Sequence, residues 1–259
     1  MRYHIDTIPV WDAMKIGGEC PICALRRKTE LLAVDRFLGA SVMEPDARIR
    51  VNEKGFCTNH YRMLFAQPNR LGLALMLHSH IRELEKKANG ALKKAAETSE
   101  KTATLPALKR MTVAKQSASA VTAAADEILA ETGSCVMCES IDNNMNDFLH
   151  TFFHLYKTDT AFVKAFEASK GVCLPDAAVL LKIAADELDA AELARFTGTL
   201  ASLMKENLKR VEDEVEWFTL KFDYRNQSKP WNNSKDAVER TVNKLSSWCV
   251  GDEPNPKEE

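Results

Sequence analysis

Apolar residues return at helical spacing along most of this chain. Leu71, Leu75, His78, Ile81, Leu84, Ala88 and Leu92 form one such series. Leu193, Phe196, Leu200, Leu203, Met204, Leu208, Val211, Val215, Phe218 and Phe222 form a longer one, which predicts a long amphipathic helix near the C-terminus. No run alternates apolar and polar residues as a strand with one buried face would, and Ile49–Asn52 is at most a short strand. The pattern predicts an all-α fold.

Boundary signals divide it further. Residues 1–19 read as an irregular arm anchored by Ile8 and Trp11. A helix starts at Pro21, because proline is tolerated in a first turn, and runs to Phe37 or Leu38. Gly39 to Lys54 reads as a loop around Glu44-Pro45-Asp46. Cys57 and His60 open another helix, interrupted at Gln67-Pro68-Asn69. Residues 86–131 read as a basic helical hairpin with its tip near Leu105-Pro106, or as a linker. Helices follow over roughly 137–157 and 159–168, from Pro175, along the long apolar series, and over roughly 234–248. The charged, proline-containing tail 251–259 is expected to be disordered.

Against this background one cysteine pattern is written twice. Cys20-Pro21-Ile22-Cys23 is followed by Gly55-Phe56-Cys57-Thr58-Asn59-His60; Cys135-Val136-Met137-Cys138 is followed, after a spacer of almost the same length, by Gly171-Val172-Cys173-Leu174-Pro175-Asp176. Of the seven cysteines, only Cys249 stands outside the pattern, and it is expected to be a buried thiol beside Trp248. A C-x-x-C at a helix start brings two thiols to one ion, and the helix N-terminus favours thiolate. A second ligand pair after a long spacer completes a tetrahedron, the usual organisation of structural zinc. The glycines fit, since a chain turning into a metal needs unusual backbone angles.

The expected fold is therefore a helical bundle built from two pseudo-repeated zinc-knuckle units, at 1–85 and 132–250. Read in order, the first site is Cys20, Cys23, Cys57 and His60, a closed set of three thiolates and an imidazole suited to one zinc ion. An iron–sulfur cluster and metal-free core thiols are its rivals. The second is Cys135, Cys138, Cys173 and Asp176. Here Asp176 either ligates directly, orients a water in an open coordination position, or merely caps a helix beside a degenerate site. One to two zinc ions per chain are expected.

Other chemistry is thinner. His150 and His154 lie too far along a helix from Cys138 to complete its site, and with Asp147 they offer only three ligands. His78 and His80 point to different helix faces, with His78 expected in the core. Paired redox thiols would predict a βαβ setting and leave Cys57 and Cys173 unexplained. No nucleotide loop, nucleophile elbow or H-E-x-x-H motif is present. Phe222, Tyr224, Arg225 and Trp231 offer a ligand or partner surface, or else dock the C-terminal helix onto the bundle.

Composition then narrows the setting. The chain has 259 residues, 45% hydrophobic and 28% charged, with net charge −2. That excludes a strong polyanion binder overall, although the basic segment 82–115 offers a nucleic-acid or ribosome contact without aromatics for stacking. No membrane span and no apolar signal core are evident, so a cytoplasmic location with reduced thiols is expected.

The opening His4-Ile5-Asp6-Thr7-Ile8-Pro9-Val10-Trp11, the Cys20-Pro21-Ile22-Cys23 knuckle, Ser41-Val42-Met43-Glu44-Pro45-Asp46, Gly55-Phe56-Cys57-Thr58-Asn59-His60-Tyr61 and Asn69-Arg70-Leu71-Gly72-Leu73-Ala74 together resemble an uncharacterised bacterial domain-of-unknown-function family, common in anaerobic Gram-positive bacteria. Phe222-Asp223-Tyr224-Arg225-Asn226 with Pro230-Trp231 is similar to its C-terminal signature. The resemblance covers the chain except 86–130 and the tail, and it implies no activity. Some members carry His where this chain has Asp176. The leading functional reading is a non-enzymatic interaction or regulatory module with structural zinc and a protein partner. A zinc-dependent hydrolase or lyase using an open second site is the alternative from the enzyme class.

Overall fold

The computed structural model of the protein describes residues 3–251; the tail expected to be disordered lies, from residue 252 on, outside them. Eleven α-helices and one 3-10 turn, with no strand, make up the described residues. They are α1 Tyr3–Lys15, α2 Pro21–Leu38, the 3-10 turn Ala40–Val42, α3 Pro45–Lys54, α4 Thr58–Ala66, α5 Arg70–Ala103, α6 Ala107–Thr132, α7 Val136–Thr158, α8 Thr160–Glu167, α9 Leu174–Glu187, α10 Ala190–Leu220 and α11 Ala237–Ser246. The protein is an all-α helical bundle.

Two segments expected to be irregular are helical. The N-terminal arm is α1, which carries Pro9 inside it. The stretch 39–54 is a 3-10 turn and α3, so Ile49–Asn52 is helix and not strand. Pro45 reads as a breaker in sequence but occupies the first turn of α3, where its missing N–H has no intrahelical partner to lose.

The chain divides into two compact units, one formed by residues 1–29 with 143–259 and the other by 30–142. The division falls within α2 and α7. In the first unit an aromatic core locks α7, α8 and α10 together. Phe152 meets Phe153, Phe162 and Phe166 edge-on at 5.1–5.3 Å, and Phe166 stacks on Phe196 at 5.9 Å. Trp11 of α1 packs edge-on against Phe162, whereas Ile8 is exposed and anchors nothing. The five phenylalanine rings are fully buried and Trp11 is half-buried, and such pairs add about 0.5–1.5 kcal/mol each beyond their area. Along α10 half of the expected stripe is buried, namely Phe196, Leu200, Leu203, Met204 and Val211; Leu193, Leu208, Val215 and Phe218 are half-buried, and Phe222 lies exposed beyond the helix end. Asp189 and Glu192 form a capping box at its start.

The second unit is built on α5. Its buried positions are Gly72, Leu73, Met76, His80, Ala91 and Ala95. The expected stripe through Leu71, Leu75, Ile81 and Leu92 instead faces solvent. Of His78 and His80 it is accordingly His80 that is buried, its Nδ1 3.1 Å from the Asn52 carbonyl, and His78 that is exposed. α5 and α6 form the antiparallel hairpin, turning at Thr104–Pro106. Among the described residues, their fully buried shared cluster is Ala91, Ala95 and Ala124, flanked by half-buried Val113, Ala120 and Ile128.

Candidate metal centres

The structure gathers all eight pattern residues into two groups, each with its ligand atoms within 4.8 Å of one another. The partners differ from those read in order along the chain. Cys57 and His60 stand with Cys135 and Cys138; Cys20 and Cys23 stand with Cys173 and Asp176. Each C-x-x-C is completed by the ligand pair of the other copy. Sequence spacing could not show this, because the two copies offer interchangeable halves.

Every ligand pair sits at a helix start. Cys135 immediately precedes α7, and its sulfur accepts the Cys138 backbone N–H at 3.4 Å. Cys20 immediately precedes α2, and its sulfur accepts the Cys23 N–H at 3.4 Å. Cys57 and Cys173 are the N-caps of α4 and α9. The positive ends of four helices thus point at two clusters of sulfur. The glycines do what their sequence position suggests: Gly55 has φ 59 and Gly171 φ 70, backbone that favours glycine. Gly55 is crowded as well, since a Cβ there would lie 2.5 Å from His80 Nε2.

In the Cys57 centre, His60 Nδ1 lies 3.3 Å from Cys57 Sγ, 3.2 Å from Cys135 Sγ and 3.4 Å from Cys138 Sγ. Its other nitrogen, Nε2, is 3.4 Å from a Glu30 carboxylate oxygen, the outer partner that orients a ligating imidazole. Cys57 and Cys138 sulfurs are 3.7 Å apart. Four sulfurs held about 2.3 Å from a shared ion in a tetrahedron would be separated by about 3.8 Å, so the cage has the size of a zinc site. Burial disfavours the His60 cation, but hydrogen bonds to Cys135 and Glu30 outweigh it and raise its pKa to about 10. Burial likewise opposes the Cys135 thiolate, yet His60 draws its pKa down to about 6. Cys138 is pushed up to about 12 by burial and by the neighbouring Cys135 sulfur.

In the Cys20 centre, Asp176 Oδ2 faces all three sulfurs, at 3.1 Å from Cys20, 3.3 Å from Cys23 and 3.0 Å from Cys173. Cys23 and Cys173 sulfurs are 3.7 Å apart. Burial raises the Asp176 carboxyl to about 6, with the Cys173 charge adding to it. Burial raises Cys20, and the Cys173 sulfur raises Cys23. Hydrogen bonds from Cys20 and Cys23 hold Cys173 as the thiolate, at about 2. Of the three sulfurs only Cys173 is held as the thiolate while Cys20 and Cys23 keep their protons, as expected where like charges share a buried site. A divalent cation would relieve that crowding, and thiolates with an imidazole or a carboxylate suit zinc.

Further residues complete the surroundings of the Cys20 centre. The Trp248 N–H donates to Cys23 Sγ at 3.3 Å, and Ser247 Oγ is 3.4 Å from Cys173 Sγ. Ser247 has φ 68, unusual for a residue with a side chain. Cys249, expected to be buried, is exposed; Trp248 instead packs under the Arg27 guanidinium, 4.6 Å from the ring centre. Next to Cys20, Glu19 is 2% exposed and bonded to Arg210. Lys244, 1% exposed, donates to the Glu19 and Lys170 carbonyls at 2.7 Å. No motif announces this ion network, whose members come from distant segments.

The remaining candidates stay apart from both centres. His150 pairs with Glu187, and no group with Asp147 and His154 forms among the described residues. Phe222 and Tyr224 are exposed, and Arg225 is held by Asp223 at 2.6 Å. Trp231 packs on Phe218 at 5.8 Å. Buried Lys221 donates to the carbonyls of Asn226, Gln227 and Lys229, bracing the loop between them.

An all-α bundle with two four-residue clusters capable of holding a metal defines the class. Within it, the chain belongs to a family of unknown function, DUF6062, whose match covers residues 1–252. No curated protein and no solved structure matches the chain. No helix among the described residues is long and apolar enough to cross a membrane.

Proposed function

We propose that the protein is a cytoplasmic, non-enzymatic interaction or regulatory module whose two centres each hold one structural zinc ion. The observation carrying this reading is the convergence of eight ligand atoms into two four-atom cages, each at the starts of two helices. Structural zinc sites are closed by four protein ligands, and catalytic ones keep a position open. Asp176 Oδ2, within 3.3 Å of three sulfurs, supports direct ligation over an oriented water. The hydrolase or lyase reading is correspondingly weakened. Zinc binding supplies about 10–16 kcal/mol in small zinc-folded peptides, enough to dominate the net stability of a unit this size. The exposed Phe222 and Tyr224, on a loop braced by Lys221, are the proposed contact for a protein partner, with Arg225 and Trp231 at its border.

Metal analysis of protein purified without added metal tests the reading. Two zinc ions per chain and a colourless protein are expected. A brown protein absorbing near ~400 nm would replace zinc by an iron–sulfur cluster.

A further inference from the structure

We infer that the outward face of α6 is a self-association surface, on which α6 of a second copy of this chain lies antiparallel. The inference is independent of the metal reading.

α6 has two apolar stripes. One, through Val113, Ala120, Ala124 and Ile128, is buried or half-buried in the hairpin. The other runs Met111, Ala114, Ala118, Val121, Ala125, Leu129, and every member is exposed, Met111 at 80% and Leu129 at 66%. Its first five positions alternate steps of three and four, the spacing that packs one helix against another. The fully buried part of the hairpin core is three alanines, Ala91, Ala95 and Ala124, which contribute little apolar area. An unpartnered large apolar face on such an element marks an interface.

Charge identifies the occupant. The N-terminal half of α6 carries Lys109, Arg110 and Lys115 and no acid; the C-terminal half carries Asp126, Glu127 and Glu131 and no base. That order opposes the helix dipole, which favours acids at the N-terminus and bases at the C-terminus. Within the hairpin, α5 answers part of it: Lys87 pairs with Glu131 at 2.7 Å, and Lys93 and Lys94 stand level with the C-terminal half of α6, whereas Lys109, Arg110 and Lys115 near the tip are met there by Lys101 as well as by Glu97 and Glu100. An antiparallel copy of α6 answers it fully, because a helix with one basic and one acidic half is complementary to itself reversed. In that register Ala118 faces the partner's Val121, Ala114 faces the partner's Ala125 and Met111 faces the partner's Leu129. Lys115 then lies beside the partner's Asp126. The small alanines let the two backbones approach closely, and the interface is isologous, as a twofold dimer requires.

Sedimentation equilibrium of the full chain across a concentration series tests this. The wild type should be a dimer in reversible exchange with monomer. Val121→Glu, at an exposed position, should give a monomer with unchanged helix content by circular dichroism. Lys115→Glu should weaken the dimer about tenfold by opposing like charges twice across the axis. The double variant Lys115→Glu with Asp126→Lys should restore it, since both contacts are then reversed in sign. A wild type that stays monomeric throughout overturns the inference, as does a dimer indifferent to Val121→Glu. A double variant no better than Lys115→Glu alone overturns the antiparallel register.

Discussion

Cys20 Sγ and Asp176 Oδ2 stand 3.1 Å apart although 156 positions separate them in sequence. The duplicated pattern, read in order, would place these two residues in different clusters. Cys20 meets the last ligand pair in the chain, and the first Gly-x-Cys segment meets the second C-x-x-C.

Metal stoichiometry in double variants tests this pairing. Cys23→Ser with Cys173→Ser removes two ligands from one centre and should leave one zinc per chain. Cys23→Ser with Cys57→Ser damages both centres and should leave neither intact. The in-order pairing predicts the reverse. Elemental analysis after gel filtration reads the difference directly.

Asp176 distinguishes the two centres chemically. Asp176→Ala should release zinc from the Cys20 centre to a chelator and spare the other, because it removes the only oxygen ligand. Asp176→His should slow release below that of the wild type, since neutral imidazole binds zinc without placing a fourth anion beside three thiolates. Faster loss in the histidine variant would mean the carboxylate suits this cage better than an imidazole does.

Gly55 has φ 59 and ψ −153, a region essentially reserved for glycine. Gly55→Ala should destabilise the protein by about 1–3 kcal/mol from the backbone alone, with the His80 ring adding to it. Gly171→Ala should cost less, because its nearest neighbour to a new Cβ is Leu203 at 3.4 Å. Urea unfolding of the two variants side by side provides the ranking.

Glu19 shapes the acid limb of stability. Burial alone would raise its pKa, but the Arg210 hydrogen bond and the Lys244 charge outweigh this and hold it below the usual carboxylate range. A depressed carboxylate contributes stability above its unfolded pKa and loses it as pH falls through the folded value. Glu19→Gln should cost about 3 kcal/mol near neutrality by leaving buried Lys244 and its neighbours without their anion. The gap to wild type should narrow only as pH falls through and below the ordinary carboxylate range, where Glu19 itself takes up its proton. A constant gap across that range would show that Glu19 acts by packing and not by charge.

Much of this architecture is legible in the sequence for identifiable reasons. α10 is read correctly because its apolar stripe is long and its buried face unambiguous. The eight clustered residues are found because cysteines in matching slots, preceded by glycines at positive φ, leave few alternatives. α5 misleads because apolar residues line two of its faces, and only packing selects Leu73, Met76 and His80 over Leu71, Leu75 and Ile81. α3 hides behind Pro45, which starts the helix where composition suggests it ends one. The Glu19 network and the Ser247–Trp248 turn are invisible beforehand, because they arise from contacts between segments that share no pattern.

The exchange of ligand pairs has a consequence for the integrity of the chain. A break anywhere between His60 and Cys135, at the Thr104–Pro106 turn for instance, yields two fragments that each own half of both centres. Two self-sufficient knuckles would let such fragments drift apart, each with its own ion. Here neither fragment could complete a four-residue cluster alone, so on the zinc reading the two should associate more tightly with metal bound than with it stripped, when only helix packing holds them. The same logic makes separately expressed halves candidates for metal-dependent reassembly.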